Sequence, residues 1–60
     1  MPFVNSSAIH RIEWENGTLS IWFLDSGRYD YFGVERGVFN SFLNAHSKGS
    51  FFNSHIRDRY

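Results

Sequence analysis

The stretch Leu19-Ser20-Ile21-Trp22-Phe23-Leu24 decides the fold. Apolar and mixed positions alternate in it with period two, and aromatic and β-branched residues dominate, so it reads as a central β-strand. Asn16-Gly17 precedes it and Asp25-Ser26-Gly27 follows it. Both are turn signals, which gives the strand an antiparallel neighbour on each flank.

Working backwards, Ala8-Ile9-His10-Arg11-Ile12-Glu13-Trp14 predicts the first strand. A two-residue turn at Asn16-Gly17 sets Trp14 opposite Leu19, Ile12 opposite Ile21 and His10 opposite Phe23. One face is then nearly all apolar. The other carries Ile9, Arg11 and Glu13 against Leu24, Trp22 and Ser20, with the Arg11 guanidinium beside the Trp22 indole. Residues 1–7 are expected to lead loosely into the sheet.

Working forwards, Arg28-Tyr29-Asp30-Tyr31-Phe32 predicts the third strand. A three-residue Asp25-Ser26-Gly27 loop pairs Phe23 with Tyr29 and Ile21 with Tyr31, turning both tyrosines to the apolar face. A two-residue loop would instead put the Asp30 carboxylate on that face, where burial without a partner is costly. From Val34 the period changes: Val34, Val38, Phe39, Phe42, Leu43 and His46 recur at three- and four-residue spacing, the stripe of an amphipathic helix. Ser47-Lys48-Gly49-Ser50 ends that helix and supplies a cap for the next. Phe52, Ile56 and Tyr60 are four apart and mark a second, short helix. The expected fold is α+β: a three-stranded antiparallel meander followed by two helices packed on one face.

Sixty residues suit one domain spanning 1–60, which buries only about 60% of the surface its unfolded chain exposes. There is no cysteine to staple it, so stability must come from large side chains; aromatic residues make up 20% of the chain. Each buried ring contributes on the order of 4–6 kcal/mol gross. His10, His46 and His55 lack the spacing of a ligand set, and neither a metal nor another cofactor is expected. No nucleophile elbow, phosphate loop or paired carboxylate motif is legible, so the chain reads as a binding module rather than an enzyme. Nothing in it resembles a signal peptide or a membrane span, which places it in the cytoplasm.

The formal net charge is +0, but it is unevenly spread. Residues 1–45 hold three arginines against five carboxylates, whereas residues 46–60 hold Lys48, Arg57 and Arg59 against Asp58. One end is therefore basic.

Three features together resemble the KTSC domain family, which occurs as a small bacterial protein and at the C-terminus of some lysyl-tRNA synthetases. They are Ser6-Ser7 before the first strand, Tyr29-Asp30-Tyr31 in the third, and the closing run from Ser47-Lys48-Gly49 to Ile56-Arg57 and Tyr60. Two departures stand out: Glu35 follows Val34 where the family commonly has proline, and Gly27 sits one residue later than the family's loop glycine. The resemblance implies an RNA-binding module. Tyr29 and Tyr31 either stack on unpaired bases or serve as core rings. Trp22 and Phe32, beside Arg11 and Arg28 on the open sheet face, form a second aromatic and basic platform, suited to nucleic acid, to a homodimer or other protein partner, or to plain packing. Lys48, Arg57 and Arg59 supply phosphate contacts or, alternatively, solvated and structural charges.

Overall fold

A computed structural model describes residues 8–60; the expectations for residues 1–7, Ser6-Ser7 included, lie outside the described residues. Strands β1 (Ile9–Glu15), β2 (Thr18–Phe23) and β3 (Gly27–Tyr31) form one antiparallel sheet in the order β1-β2-β3. Helices α1 (Arg36–Asn44) and α2 (Lys48–Phe51) follow, and α2 runs straight into a π-helical turn over Phe52–Ile56. This is the expected meander roofed by two helices.

The first turn forms as its chemistry dictates, with Asn16 and Gly17 both at positive φ (51° and 86°). It fixes Trp14 opposite Leu19 and Ile12 opposite Ile21, as the sequence predicts. Beyond Arg11 the ladder departs from expectation: a bulge makes Ile9, not His10, the partner of Phe23. The extra residue swings Ile9 onto the roofed face, where it is 1% exposed, and leaves His10 in water. An aliphatic side chain thereby fills a place that an imidazole could fill only with a hydrogen-bond partner.

The second turn is shifted by two residues from the predicted register. Leu24-Asp25-Ser26 forms the loop and Phe23 pairs with Gly27, which takes φ 84°, a conformation that glycine adopts without a Cβ penalty. Because the shift is even, the tyrosines keep the predicted face: Tyr29 stands opposite Ile21 and Tyr31 opposite Leu19. Arg28 then pairs with Trp22 and Asp30 with Ser20 on the outer face. Phe32 falls beyond the strand end and off the sheet face where it was expected.

Val34 lies before the helix, not in its first turn. Its N–H donates to the Gly17 carbonyl at 2.9 Å and its carbonyl accepts the Trp14 indole N–H at 2.8 Å, so neither group is free to join α1. These two bonds tie the roof's entrance to the first turn. At the far end of α1, the Lys48 ammonium donates to the Ala45 carbonyl at 2.6 Å, and the Ser47 hydroxyl accepts the Ser50 N–H at 3.2 Å to cap α2. The second helix therefore starts four residues before Phe52. Ile9, Ile12, Leu19, Ile21, Val34, Phe42 and Ile56 make the buried core between sheet and helices.

Candidate nucleic-acid interface

Two surfaces combine aromatic rings with arginine. The first is the outer sheet face. Arg11 and Arg28 flank the partly buried Trp22 ring, with guanidinium carbons 4.2 Å and 5.6 Å from its centroid. Both cations are also held by carboxylates. Arg11 bonds Glu13, and Arg28 makes a bidentate pair with Asp30 at 2.9 and 3.0 Å. The Ser20 hydroxyl donates to the same Asp30 oxygen at 2.7 Å. The hydrogen bond from Arg28, followed by that from Ser20, holds the Asp30 carboxyl below the usual carboxylate range, and the same bond raises the Arg28 guanidinium. A shallow groove runs across this face, lined by Arg11, Glu13, Glu15, Trp22 and Arg28 among others. With Asp30 bonded to Arg28, three carboxylates stand against two guanidinium groups, so a phosphate arriving there would have to compete with carboxylates for each guanidinium.

The second surface lies on the roofed side of β3, around Tyr29 and Tyr31. Phe23 packs edge-on against both Tyr29 (5.6 Å) and Phe52 (5.2 Å), and Tyr31 packs edge-on against Phe52 (5.8 Å). This quartet is graded. Phe23, Tyr31 and Phe52 are partly buried, while Tyr29 keeps 48% of its surface in water. Burial raises the Tyr31 hydroxyl pKa, Tyr29 adds to the effect, and the nearby positive charge of Arg57 opposes it. Arg57 sits directly after the π-helical turn, where its N–H donates to the Phe52 carbonyl at 2.9 Å. Neither Arg57 nor Arg59 has an ion pair among the described residues.

The basic end predicted from the sequence is split three ways. Lys48 is spent on the end of α1, the charge of Arg57 reaches the Tyr31 hydroxyl, and Arg59 lines a separate groove between α1 and the C-terminal helix with Glu35, Phe51 and His55. Arg11, Trp22 and Arg28 come together on the outer face, but Phe32 stands apart from them beyond the strand. Phe23 and Phe52, which seat the two tyrosines, were not singled out in the sequence as site residues. The sequence marks both as packing residues, Phe23 by its predicted pairing with Tyr29 on the apolar face and Phe52 by its four-residue step to Ile56. Among the described residues no three His, Cys, Asp or Glu side chains come together as a metal site, and no helix is long and apolar enough to cross a membrane.

The KTSC domain family model matches residues 5–60 of the chain. The crystal structure of a KTSC domain protein from Yersinia pestis superposes with a TM-score of 0.94 at 37% identity, covering 97% of this chain and 84% of that one. No curated protein sequence matches the chain.

Proposed function

The chain belongs to the KTSC domain family, and we propose that it is a small non-enzymatic module of the cytoplasm that binds single-stranded RNA along the roofed edge of β3. The observation that carries this reading is the 48% exposed Tyr29 ring, braced by Phe23, with Tyr31 on the same face within the electrostatic influence of Arg57, which has no ion pair among the described residues. Stacking of a base on such a ring contributes about 1–3 kcal/mol and is available to single strands, whose bases are unpaired. Arg57 adds one phosphate contact. With one such cation, the logarithm of the affinity falls with that of salt concentration at a slope of about −0.7 for each phosphate neutralised. Fluorescence anisotropy of a short labelled RNA at low salt tests the proposal. Saturable binding that Tyr29→Ala weakens supports it, and an unchanged signal up to high micromolar protein ends it.

A second reading, an interaction module that docks a protein through the outer face, is favoured by the charge balance around Trp22. A partner of that kind would be lost on Trp22→Ala while RNA binding stayed.

A further inference from the structure

We propose that two copies of this chain associate through the free edge of β3, pairing antiparallel about a two-fold axis at Tyr29 to make one continuous six-stranded sheet. The pairing goes beyond RNA binding and does not depend on it.

β3 ends the strand order β1-β2-β3, and none of Gly27–Asp30 is buried. Its second edge therefore offers a row of backbone N–H and C=O groups with no strand beside it among the described residues. Natural sheets usually blunt such an edge with proline, lysine or an inward-pointing charge. The β3 sequence Gly27-Arg28-Tyr29-Asp30-Tyr31 has no proline and no lysine, and its two charges stand on the outer face, where they leave the edge accessible.

The order of those charges selects a second copy as the occupant. Backbone groups of successive residues aim alternately at the two edges of a strand, so two identical strands related by a two-fold axis pair only in registers centred on a residue. Centred on Arg28, the pairing opposes two guanidinium groups. Centred on Asp30, it opposes two carboxylates. Centred on Tyr29, it sets Arg28 opposite the partner's Asp30 and Asp30 opposite the partner's Arg28, so the Arg28–Asp30 pair already made within each strand joins its counterpart in a ring of four alternating charges on one face. The two tyrosines at the axis meet on the other.

The exposed apolar residues fall in the same pattern. Phe32, 70% exposed, lies just past the C-terminal end of β3, and Leu24, 57% exposed, lies in the turn at its N-terminal end. An antiparallel pairing brings each end against the opposite end of the other copy. Centred on Tyr29, it sets Phe32 opposite the partner's Ser26, in the turn that carries Leu24. Charge order and apolar ends thus agree on one register. The contact is small, which places the association among weak ones.

Sedimentation equilibrium on the intact chain up to millimolar concentration tests the inference with a charge exchange. Arg28→Glu and Asp30→Arg each turn both cross-strand pairs into like-charge pairs and are expected to weaken dimerisation roughly tenfold or more, whereas the double variant restores it. Circular dichroism confirms that each variant is folded. A Tyr29→Cys chain, which has no other cysteine, is expected to form a disulfide-linked dimer under mild oxidation, faster than an Arg59→Cys control, because facing residues lie within disulfide reach. A wild-type monomer throughout, a double variant that fails to recover, or equal cross-linking at the two cysteine positions would each overturn the pairing. Association abolished by Trp22→Ala with no response to the charge exchange would do so as well, by assigning it to the outer face.

Discussion

On the outer face of the sheet, Trp22 lies between two arginines, each already bonded to a carboxylate of its own strand. On the roofed edge of β3, Tyr29 and Tyr31 share their surroundings with Phe23 and Phe52, and the charge of Arg57, which has no ion pair among the described residues, reaches the Tyr31 hydroxyl. Both surfaces carry rings and guanidinium groups, so composition alone rates them alike. They differ in whether the charge is already satisfied, and for a polyanion that difference decides. Breaking an existing ion pair to make a phosphate contact gains little, whereas an arginine without one makes that contact at no such cost.

The contrast rests on the roof holding the inner face dry, and its sharpest break comes from the core. Phe42 is fully buried and stacks on Phe51 at 5.3 Å. Phe42→Ala is expected to cost about 3–5 kcal/mol, read from urea unfolding, which is a large part of the roughly 5–15 kcal/mol that holds a typical domain folded. Next in size is the contrast itself. Tyr29→Ala should weaken RNA binding by about 1–3 kcal/mol, roughly 5- to 150-fold, and Arg57→Ala should flatten the salt dependence by about 0.7 of a slope unit. Arg11→Ala should leave RNA affinity within about twofold, since its guanidinium is held by Glu13 and stacks on Trp22. Lys48→Met separates a structural cation from a binding one. It removes the bond to the Ala45 carbonyl, costing roughly 1 kcal/mol of stability in the same urea measurement, with RNA affinity unchanged.

The smallest effect is one of pH. The folded Asp30 carboxyl titrates below its ordinary range because Arg28 and Ser20 bond its charged form, so the unfolded chain takes up that proton first as pH falls. Its stabilising contribution is whole above about pH 4 and is lost as pH drops further, through the folded value. Asp30→Asn should flatten that acid limb of the stability profile, read from urea unfolding as a function of pH.

The fold was legible in the sequence because several local signals agreed. Asn16-Gly17 set the first register, the period of two set the strands, and the change of period at Val34 announced the roof. Errors arose where one residue more or less reassigns a side chain. The bulge at His10 exchanged Ile9 for the imidazole, and Gly27 drew the second turn forward so that the tyrosines slid by two. An even slide preserves a face but not a position along it, which is why the side facing the roof was readable and the degree of exposure was not. Tyr29 came to rest beyond the reach of the helices and Tyr31 under Phe52. The basic end was legible as a count of charges, but its division was not, because it depends on where each side chain leaves a helix. Lys48 turns back on the preceding helix and Arg59 faces α1, while Arg57 follows a π-helical turn that the spacing of apolar residues does not reveal.

One titration tests the central distinction between the two surfaces: backbone amide shifts of isotopically labelled protein followed while short single-stranded RNA is added at low salt. Shifts concentrated at Tyr29, Tyr31, Phe52 and Arg57, with Arg11, Trp22 and Arg28 still, are the result expected. Shifts confined to Arg11, Trp22 and Arg28, or none at all at millimolar RNA, would contradict it.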